Sequence, residues 1–296
     1  TDSTLDYLSH VTLPYKLCAL SQENQGAAAA RNRGLQAAQG DIVLFIDDDI
    51  IPAPTLLAEH VRMHRGRSGN IVVLGPMLTP LDFDMAPWVR WEQAMLVKQY
   101  DGMANNLWQP TARQFYIGNA SVERSHLLAV RGFDPMFRRA EDVELAYRLH
   151  RRGLTFHFNP DAIGYHYAER TFTSWLRTPY EYGRNGVVFA ESRGQPWLLE
   201  LALQEFSTRH WLIYIVVYTC LSRSLLTRYT LKALRTIAAL ATANGQERIA
   251  NHAYSAIFNL RYYQGMADEL GGRRQFVERL AQEPTYKPFF RSLLTG

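Results

Sequence analysis

The chain of 296 residues is predicted to fold as an α/β domain followed by an α-helical region. Short apolar runs at 42–46 and 71–74 alternate with segments of helical periodicity, a pattern typical of an α/β sheet. Beyond Pro196 the strand signals stop, while leucine, alanine and arginine recur at helical spacing. We therefore expect one α/β domain over residues 1–195 and a helical C-terminal region over residues 196–296.

Composition and charge narrow the possible functions. Apolar residues make up 47% of the chain and charged residues 20%, which suits a globular protein and argues against disorder. The net charge is +4 and its basic excess lies in the tail, which is a weak footprint for nucleic acid, so no nucleic-acid partner is expected. No apolar run reaches the about 18 residues that a membrane span needs. Cys18 and Cys220 are expected to be buried thiols, which favours a reducing compartment such as the cytoplasm.

The first half of the α/β part is predicted to alternate strands with helices. The expected elements are a strand at 15–20, a helix at 26–39, a strand at 42–46, a helix at 55–64 and a strand at 71–74. The five consecutive apolar residues of 42–46 suit a strand that is buried on both faces of a parallel sheet. Residues 81–112 have only weak periodicity and receive no assignment.

The second half of the α/β part continues this alternation. The expected elements are a strand with a turn at 113–122, a helix at 141–152, strands at 154–158 and 162–167, and a helix at 173–190. The last helix carries Trp175, Tyr180 and Tyr182. These aromatic rings are either core residues or a wall for a bound sugar ring.

Three consecutive carboxylates, Asp47, Asp48 and Asp49, follow the strand at 42–46. Ligands of open α/β sheets bind beyond the carboxyl ends of the strands. Adjacent carboxylates repel one another and are costly to desolvate, and a cation offsets that cost. Oxygen ligands of this kind suit Mg²⁺ or Mn²⁺, with water and substrate phosphates in the remaining positions. The alternative is a solvated acidic turn that caps the next helix.

A loop and a helix N-terminus precede that strand. Asn24 and Gly26 lie in the loop, and Arg31 and Arg33 lie on the helix. Helix N-termini favour phosphate, and either arginine could pair with it. On spacing alone, an ordinary amphipathic helix with exposed arginines is the favoured alternative.

Taken in order, these motifs resemble the inverting glycosyltransferases of family 2, which have the GT-A fold. The matching residues are Asn24 and Gly26, Ala30 to Asn32, Gly40 and Asp41, the strand at 42–46, and Asp47 with Asp49. The resemblance implies that Asp49, together with Asp47, holds a Mn²⁺ or Mg²⁺ ion that bridges the donor diphosphate. It also implies that the nucleotide is bound by Asn24, Gly26, Arg31, Asp47 and Asp48.

The following residues resemble the acceptor half of the same family. Gly132-Phe133-Asp134 matches a Gly-Gly-Phe-Asp segment, with Arg131 in place of the first glycine. Glu141-Asp142 matches an acidic pair that opens a helix, and the resemblance makes Asp142 the base that takes the proton of the acceptor hydroxyl. His166 follows a short strand, where enzymes with this fold often place a metal ligand. A structural role is the alternative for His166, and a pair of helix-capping charges is the alternative for Glu141-Asp142.

The resemblance implies metal-dependent transfer with inversion from a nucleotide sugar, with a UDP-sugar the favoured donor, to a glycan or a lipid-linked acceptor. Because Thr1 to Thr4 is similar to the end of the family's second turn, the first strand and helix of the fold are expected to be missing from residues 1–195. One alternative is a non-catalytic binding or scaffold protein with this fold. Another is a haloacid-dehalogenase-like phosphatase, whose motif requires threonine where Ile51 stands.

Residues 207–246 contain five basic residues, no acidic residue and many large apolar side chains. A basic helix with a strong apolar side can lie in a membrane interface, which predicts a possible peripheral position on the inner face of the cell membrane. A helical hairpin packed on the catalytic domain, or an oligomer interface, explains the same pattern without lipid. The oligomeric state is left open by the sequence.

Overall fold

The structure is a computed structural model that describes residues 3–66, 69–137 and 139–283, so expectations for residues 1, 2 and 284–296 lie outside it. The strands are β1 (Ile42–Ile46), β2 (Ile50–Pro52), β3 (Ile71–Leu74), β4 (Met77–Leu78), β5 (Asn119–Glu123), β6 (Thr155–Phe158) and β7 (Gly164–His166). The first helices are α1 (Thr4–His10), α2 (Ala27–Ala37), α3 (Leu56–Arg65), α4 (Pro87–Ala104), α5 (Arg124–Ala129) and α6 (Glu141–Arg151). The later helices are α7 (Phe172–Arg193), α8 (Trp197–Thr208), α9 (Trp211–Cys220), α10 (Ser224–Ala243), α11 (Glu247–Glu269) and α12 (Arg273–Leu280).

The strands form two small mixed sheets, and this mixed α/β architecture confirms the predicted fold class. The larger sheet has the order β1-β5-β3-β6, with β5 antiparallel to β1 and β3, and with β3 parallel to β6. The smaller sheet has the order β2-β7-β4. The predicted strand at 42–46 is confirmed as β1, but its expected burial on both faces of a parallel sheet was wrong. It lies at the edge of the larger sheet, pairs antiparallel with β5 and buries only Phe45. The prediction of a buried strand at β3 is confirmed at all its positions.

Two local predictions failed. The expected strand at 15–20 is irregular and exposed, because it pairs with none of the described strands and therefore has no ladder to join. Cys18 lies in this segment and is exposed, whereas Cys220 is buried as expected.

Residues 81–112, which received no assignment from the sequence, contain the 18-residue helix α4, which begins with Pro87 at its first turn. Proline is favoured in the first turn, because a backbone N–H there would have no hydrogen-bond partner within the helix and proline carries none.

The core of the α/β part lies between the larger sheet and helices α2, α5 and α6. Val72, Ala120 and Val122 from the sheet pack there against Leu127 of α5 and Leu145 of α6, and all five are fully buried. This packing fixes the start of α6 relative to the ends of the strands. It thereby sets the position of Glu141 and Asp142, which open that helix.

Helix α7 shares its cores with the C-terminal helices. Its Val187 packs with residues of α8, α9, α11 and α12, and its Trp175 packs with Trp91 and with residues of α10 and α11. Where α7 crosses α11, a Cβ added to Gly183 would lie 1.9 Å from the Tyr262 carbonyl oxygen, and one added to Gly265 would lie 1.9 Å from that of Tyr180. The two backbones therefore touch at these glycines. The domain boundary at residues 195–196 stays a prediction.

Within the described part of the chain, no helix combines the length and the apolar character needed to cross a lipid bilayer.

Candidate active site

The acidic run forms the turn between β1 and β2. The Asp47 carbonyl oxygen accepts a hydrogen bond from the Ile50 N–H at 3.2 Å, which closes the turn. Asp47 is partly buried, whereas Asp48 and Asp49 are exposed. Gly118, just before β5, lies against Asp47, and a Cβ there would come within 2.9 Å of Asp47 Oδ2. The glycine therefore leaves space that the Asp47 carboxylate uses.

Arg31 connects the acidic turn to the start of α6. Its Nη2 donates to Asp47 Oδ1 at 2.9 Å, and its Nη1 donates to Glu141 Oε1 at 2.6 Å. Its guanidinium also lies 5.7 Å from the centre of the Phe133 ring. Arg31 stands in the second turn of α2, away from the helix N-terminus, and both terminal nitrogens are engaged by carboxylates. The arrangement therefore makes Arg31 a bridge between two acidic motifs, while a contact with phosphate stays a prediction.

Asp49 and His166 face each other across the smaller sheet. The register of β2 and β7 pairs Ile50 with His166, and the Tyr167 N–H donates to the Asp49 carbonyl oxygen at 2.9 Å. This pairing brings His166 Nε2 to 3.1 Å from Asp49 Oδ2. His166 Nδ1 is buried and has no hydrogen-bond partner among the described residues.

The donor set around Asp49 suits a cation that also binds the substrate. One carboxylate and one imidazole converge, a mixture of oxygen and nitrogen donors that Mn²⁺ accepts more readily than Mg²⁺. No group of three or more His, Cys, Asp or Glu side chains that could hold a metal occurs among the described residues. A cation held by only two protein ligands takes its other ligands from water and phosphate. The residues present therefore fit a metal that binds together with a diphosphate.

Asp142 is the second residue of α6, whose N-cap Ala140 has a φ of 59° and so lies in the left-handed region. Its Oδ1 accepts a hydrogen bond from the Val143 N–H at 2.8 Å. Burial, followed by the neighbouring Glu141 charge, raises the pKa of Asp142 to about 7, although Arg31 acts in the opposite direction. A carboxylate with this pKa can accept a proton near neutral pH. An aspartate with the ordinary, lower pKa is a weaker base and accepts a proton less readily.

Two further polar side chains lie near the site: Glu92, which the sequence analysis missed, and Tyr182, which was one of its aromatic candidates. Glu92 of α4 forms an ion pair with Arg170 at 3.0 Å, and burial raises its pKa while Arg170 and His166 lower it. Tyr182 of α7 is 41% exposed, so more than half of the residue is enclosed by the protein. This partial burial, followed by the charges of Asp142 and Glu92, raises the pKa of its hydroxyl group. The sequence signal that could have revealed Glu92 is Pro87, since proline is common in the first turn of a helix. A helix that begins at Pro87 includes Glu92.

The other two aromatic candidates of α7 do not line the site. Trp175 is fully buried in the core, and the Tyr180 hydroxyl donates to Asp268 Oδ2 on α11 at 2.9 Å. Of the three rings, only Tyr182 is positioned near the carboxylates.

Asn24 and Gly26 form the approach to α2. Asn24 Oδ1 accepts from the Gly26 N–H at 3.1 Å, and both residues are exposed. Gly26 has a φ of 89°, a conformation that favours glycine, and it is the N-cap of α2. The helix N-terminus is therefore open to solvent, while its binding of a nucleotide stays a prediction.

Comparison with known proteins relates the N-terminal part of the chain to one family. Residues 1–129 match the sequence model of glycosyl transferase family 2. The matched segment spans 129 of the 296 residues, so the N-terminal part of the chain is similar to the family 2 glycosyltransferases. This match covers the acidic turn and Arg31 but ends before α6, so the roles of Glu141, Asp142 and His166 depend on the geometry described above.

Curated proteins that are similar to this chain agree with that likeness. The uncharacterized glycosyltransferase YfnE of Bacillus subtilis is 28% identical, over 56% of this chain and 54% of that protein. The pre-mycofactocin glycosyltransferase of Mycobacterium tuberculosis is 28% identical, over 56% of this chain and 35% of that protein. The chain thus spans roughly half or less of the length of these relatives.

Among solved structures, the mannosyltransferase PcManGT from Pyrobaculum calidifontis, in complex with GDP-Man and Mn²⁺, is similar at a TM-score of 0.50. The sequences are 18% identical, and the match covers 82% of this chain and 67% of that one. This likeness supports the GT-A fold of the chain.

Proposed function

We propose that this chain transfers a sugar from a nucleotide-diphosphate donor to an acceptor hydroxyl, with a divalent cation and with inversion at the anomeric carbon. The observation that carries the proposal is that three motifs far apart in sequence lie together: the acidic turn, the start of α6 and His166. Arg31 joins Asp47 to Glu141, and Asp49 contacts His166. A solvated acidic turn would not need either contact.

The metal is proposed to bind to Asp49 Oδ2 and His166 Nε2. A bound Mn²⁺ or Mg²⁺ would stabilise the negative charge that develops on the leaving diphosphate. Asp47 belongs to the proposed site as well, but its Oδ1 is occupied by Arg31, which leaves Oδ2 for the nucleotide or the cation. Asp48 is exposed beside it and is the second proposed contact to the nucleotide.

Asp142 is proposed to accept the proton of the attacking hydroxyl. Its raised pKa of about 7 makes it a stronger base than a solvated aspartate, so proton uptake in the transition state is favoured. Glu141 is held by Arg31 and positions the first turn of α6. Attack from the face of the sugar opposite the diphosphate inverts the anomeric configuration.

The donor, the acceptor and the location are proposed as classes. A UDP-sugar is the first donor to test. A glycan or lipid-linked hydroxyl is the proposed acceptor, and its sugar ring would lie against Tyr182 and hydrogen-bond to Glu92, since exposed tyrosine rings and carboxylates suit hydroxyl-rich ligands. The proposed location is the cytoplasm, at the inner face of the cell membrane.

Donor screening tests this proposal. A panel of UDP-, GDP- and dTDP-sugars is tested with Mn²⁺, with Mg²⁺ and with chelator, and both thermal shift and sugar-nucleotide hydrolysis are measured. We expect at least one sugar nucleotide to raise the melting temperature and to be hydrolysed only when a divalent cation is present. If no member of the panel gives a metal-dependent shift or hydrolysis, the non-catalytic scaffold becomes the better description.

A further inference from the structure

Helix α10 presents three distinct faces. Its buried side chains Thr227, Ala238 and Ala241 lie on one side. At 3.6 residues per turn, its large exposed apolar residues fall within a sector of about 120° on another side. These residues, each at least 41% exposed, are Leu225, Leu226, Tyr229, Ile237 and Leu240. We call this set the apolar stripe of α10.

A basic stripe borders the apolar one. Arg228, Lys232 and Arg235 are exposed and occupy the remaining sector of about 60° on the same helical projection. The chain contains no Asp or Glu between positions 206 and 246 that could offset their charge locally. Arg235 also lies 4.5 Å from the centre of the Phe172 ring, which leaves Arg228 and Lys232 as the outward charges.

Helix α9 adds apolar surface just before this helix. Trp211, Leu212 and Ile215 occupy one side of α9 and are 55%, 49% and 47% exposed. Exposed apolar residues that share one side of a helix, as they do on α9 and on α10, mark a site of contact with a partner, since single scattered apolar residues would be unremarkable.

We propose that the exposed face of α10 binds an anionic lipid bilayer. The apolar stripe lies at the boundary between headgroups and acyl chains, and the basic stripe contacts the headgroup phosphates. The inference deepens the proposed peripheral location, on which it rests, and it does not depend on the transfer chemistry. It would bring the glycosyltransferase to acceptors that are held in the membrane.

The charge of this face argues for a lipid partner over a second copy of the chain. A two-fold symmetric dimer places the same patch on both subunits. The basic stripe would then lie close to its own copy without acidic residues from positions 206–246 to neutralise it. An anionic surface satisfies both stripes at once.

Flotation of the intact protein with lipid vesicles tests the proposal. Vesicles of phosphatidylcholine mixed with phosphatidylglycerol are compared with vesicles of phosphatidylcholine alone, at low and high salt. We expect the protein to float with the anionic vesicles and to be released as salt rises, because exposed charges are screened. Failure to float with anionic vesicles at low salt would overturn the proposal.

Variants of the two stripes test each part. Arg228→Glu with Lys232→Glu should weaken vesicle binding by about tenfold or more, since each basic residue near the surface contributes about 1 kcal/mol. Leu225→Ser with Leu240→Ser should weaken it even at low salt, and both side chains are exposed enough to leave the fold intact. Arg151→Glu with Arg152→Glu is the control, because it changes the net charge equally at two exposed positions at the C-terminal end of α6.

Two further readouts separate the possible outcomes. Hydrolysis of a soluble sugar nucleotide should be unchanged in all three double variants, so that a failure of membrane binding is distinguished from a failure of the proposed transfer. The proposal is overturned if the charge reversals on α10 and α6 reduce flotation equally. It is also overturned if sedimentation shows a dimer that Leu225→Ser with Leu240→Ser dissociates, because the face would then bind a second copy.

Discussion

The turn after β1 places three carboxylates at the protein surface, whereas α7 crosses α11 at a contact without room for one methyl group. The first region is held by a few polar contacts, mainly the ion pairs of Arg31 and the hydrogen bond between His166 and Asp49. The second is held by apolar packing around Gly183 and Gly265. Substitutions in the first region should therefore remove activity and spare the fold, and substitutions in the second should do the reverse.

Asp142→Asn should have the largest effect and should affect function alone. Loss of a general base lowers the rate of transfer by a factor of about 10² to 10⁴. The amide has nearly the same shape and can still accept from the Val143 N–H, so the melting temperature and donor binding should change little. Transfer kinetics and calorimetric donor titration check both parts, and loss of donor binding with residual transfer would contradict the assignment.

The pH dependence sharpens this prediction. The base must be deprotonated to act, and the pKa of Asp142 is raised to about 7. The turnover rate of the native protein should therefore rise with pH through about 7 and level off above it. In Asp142→Asn this acidic limb should disappear, and its persistence would assign the limb to another group.

Gly265→Ala should have a large effect on stability. The added methyl carbon would lie 1.9 Å from the Tyr180 carbonyl oxygen, which is backbone of α7 and cannot move aside alone. Overpacking at such a contact lowers the free energy of unfolding by about 3 kcal/mol. Urea unfolding of the variant would measure this loss. Gly186→Ala on α7 is the matched control, since nothing lies within 4 Å of its added carbon. Equal losses in the two variants would mean that the backbones do not touch at Gly265.

Arg31→Lys should have an intermediate effect on activity. Lysine keeps the positive charge, but its single ammonium group cannot bridge Asp47 and Glu141 with the planar geometry of a guanidinium. Loss of such a supporting contact lowers activity by about tenfold or more. Arg33→Lys is the control, because Arg33 is exposed and donates to the backbone carbonyl oxygen of Ser21, away from both carboxylates. Similar kinetics for both variants would remove the bridge from the account.

The smallest expected effect is on the stability of the fold at mildly acidic pH, and it depends on a buried network of two histidines. His60 contacts Ser121 at 2.8 Å and Asn119 at 2.9 Å, and His64 contacts the same Ser121 hydroxyl at 2.9 Å. Burial lowers the pKa of both imidazoles below the ordinary value of 6.5.

The unfolded chain therefore takes up protons that the folded chain excludes. Stability should be complete above pH 6.5 and should fall as the pH decreases below it, by at most about 1.4 kcal/mol per group and pH unit. Urea unfolding between neutral and mildly acidic pH measures this loss. His64→Gln should reduce it, whereas exposed His252→Gln should not, and an unchanged slope in His64→Gln would contradict the network.

The sequence predicted best the features that are local in the chain. The acidic turn, α6 and the buried strand β3 follow from contiguous motifs and apolar runs. The edge position of β1 and its antiparallel partner β5 depend on pairing between distant residues, which local patterns do not encode. For the same reason the contacts of Arg31 and the position of Glu92 became visible only in the structure. Cys18 was misplaced because its apolar neighbours Leu17 and Leu20 are themselves exposed, at 40% and 42%.

Calorimetric titration of UDP, with and without Mn²⁺, tests the Asp49–His166 site most directly. If these side chains hold the cation, the two ligands bind cooperatively, and Mn²⁺ should raise the affinity of the native protein for UDP by about tenfold or more. In Asp49→Ala this increase should vanish, while Asp101→Ala, at an exposed position on α4, should retain it. An increase of the same size in Asp49→Ala would contradict the account.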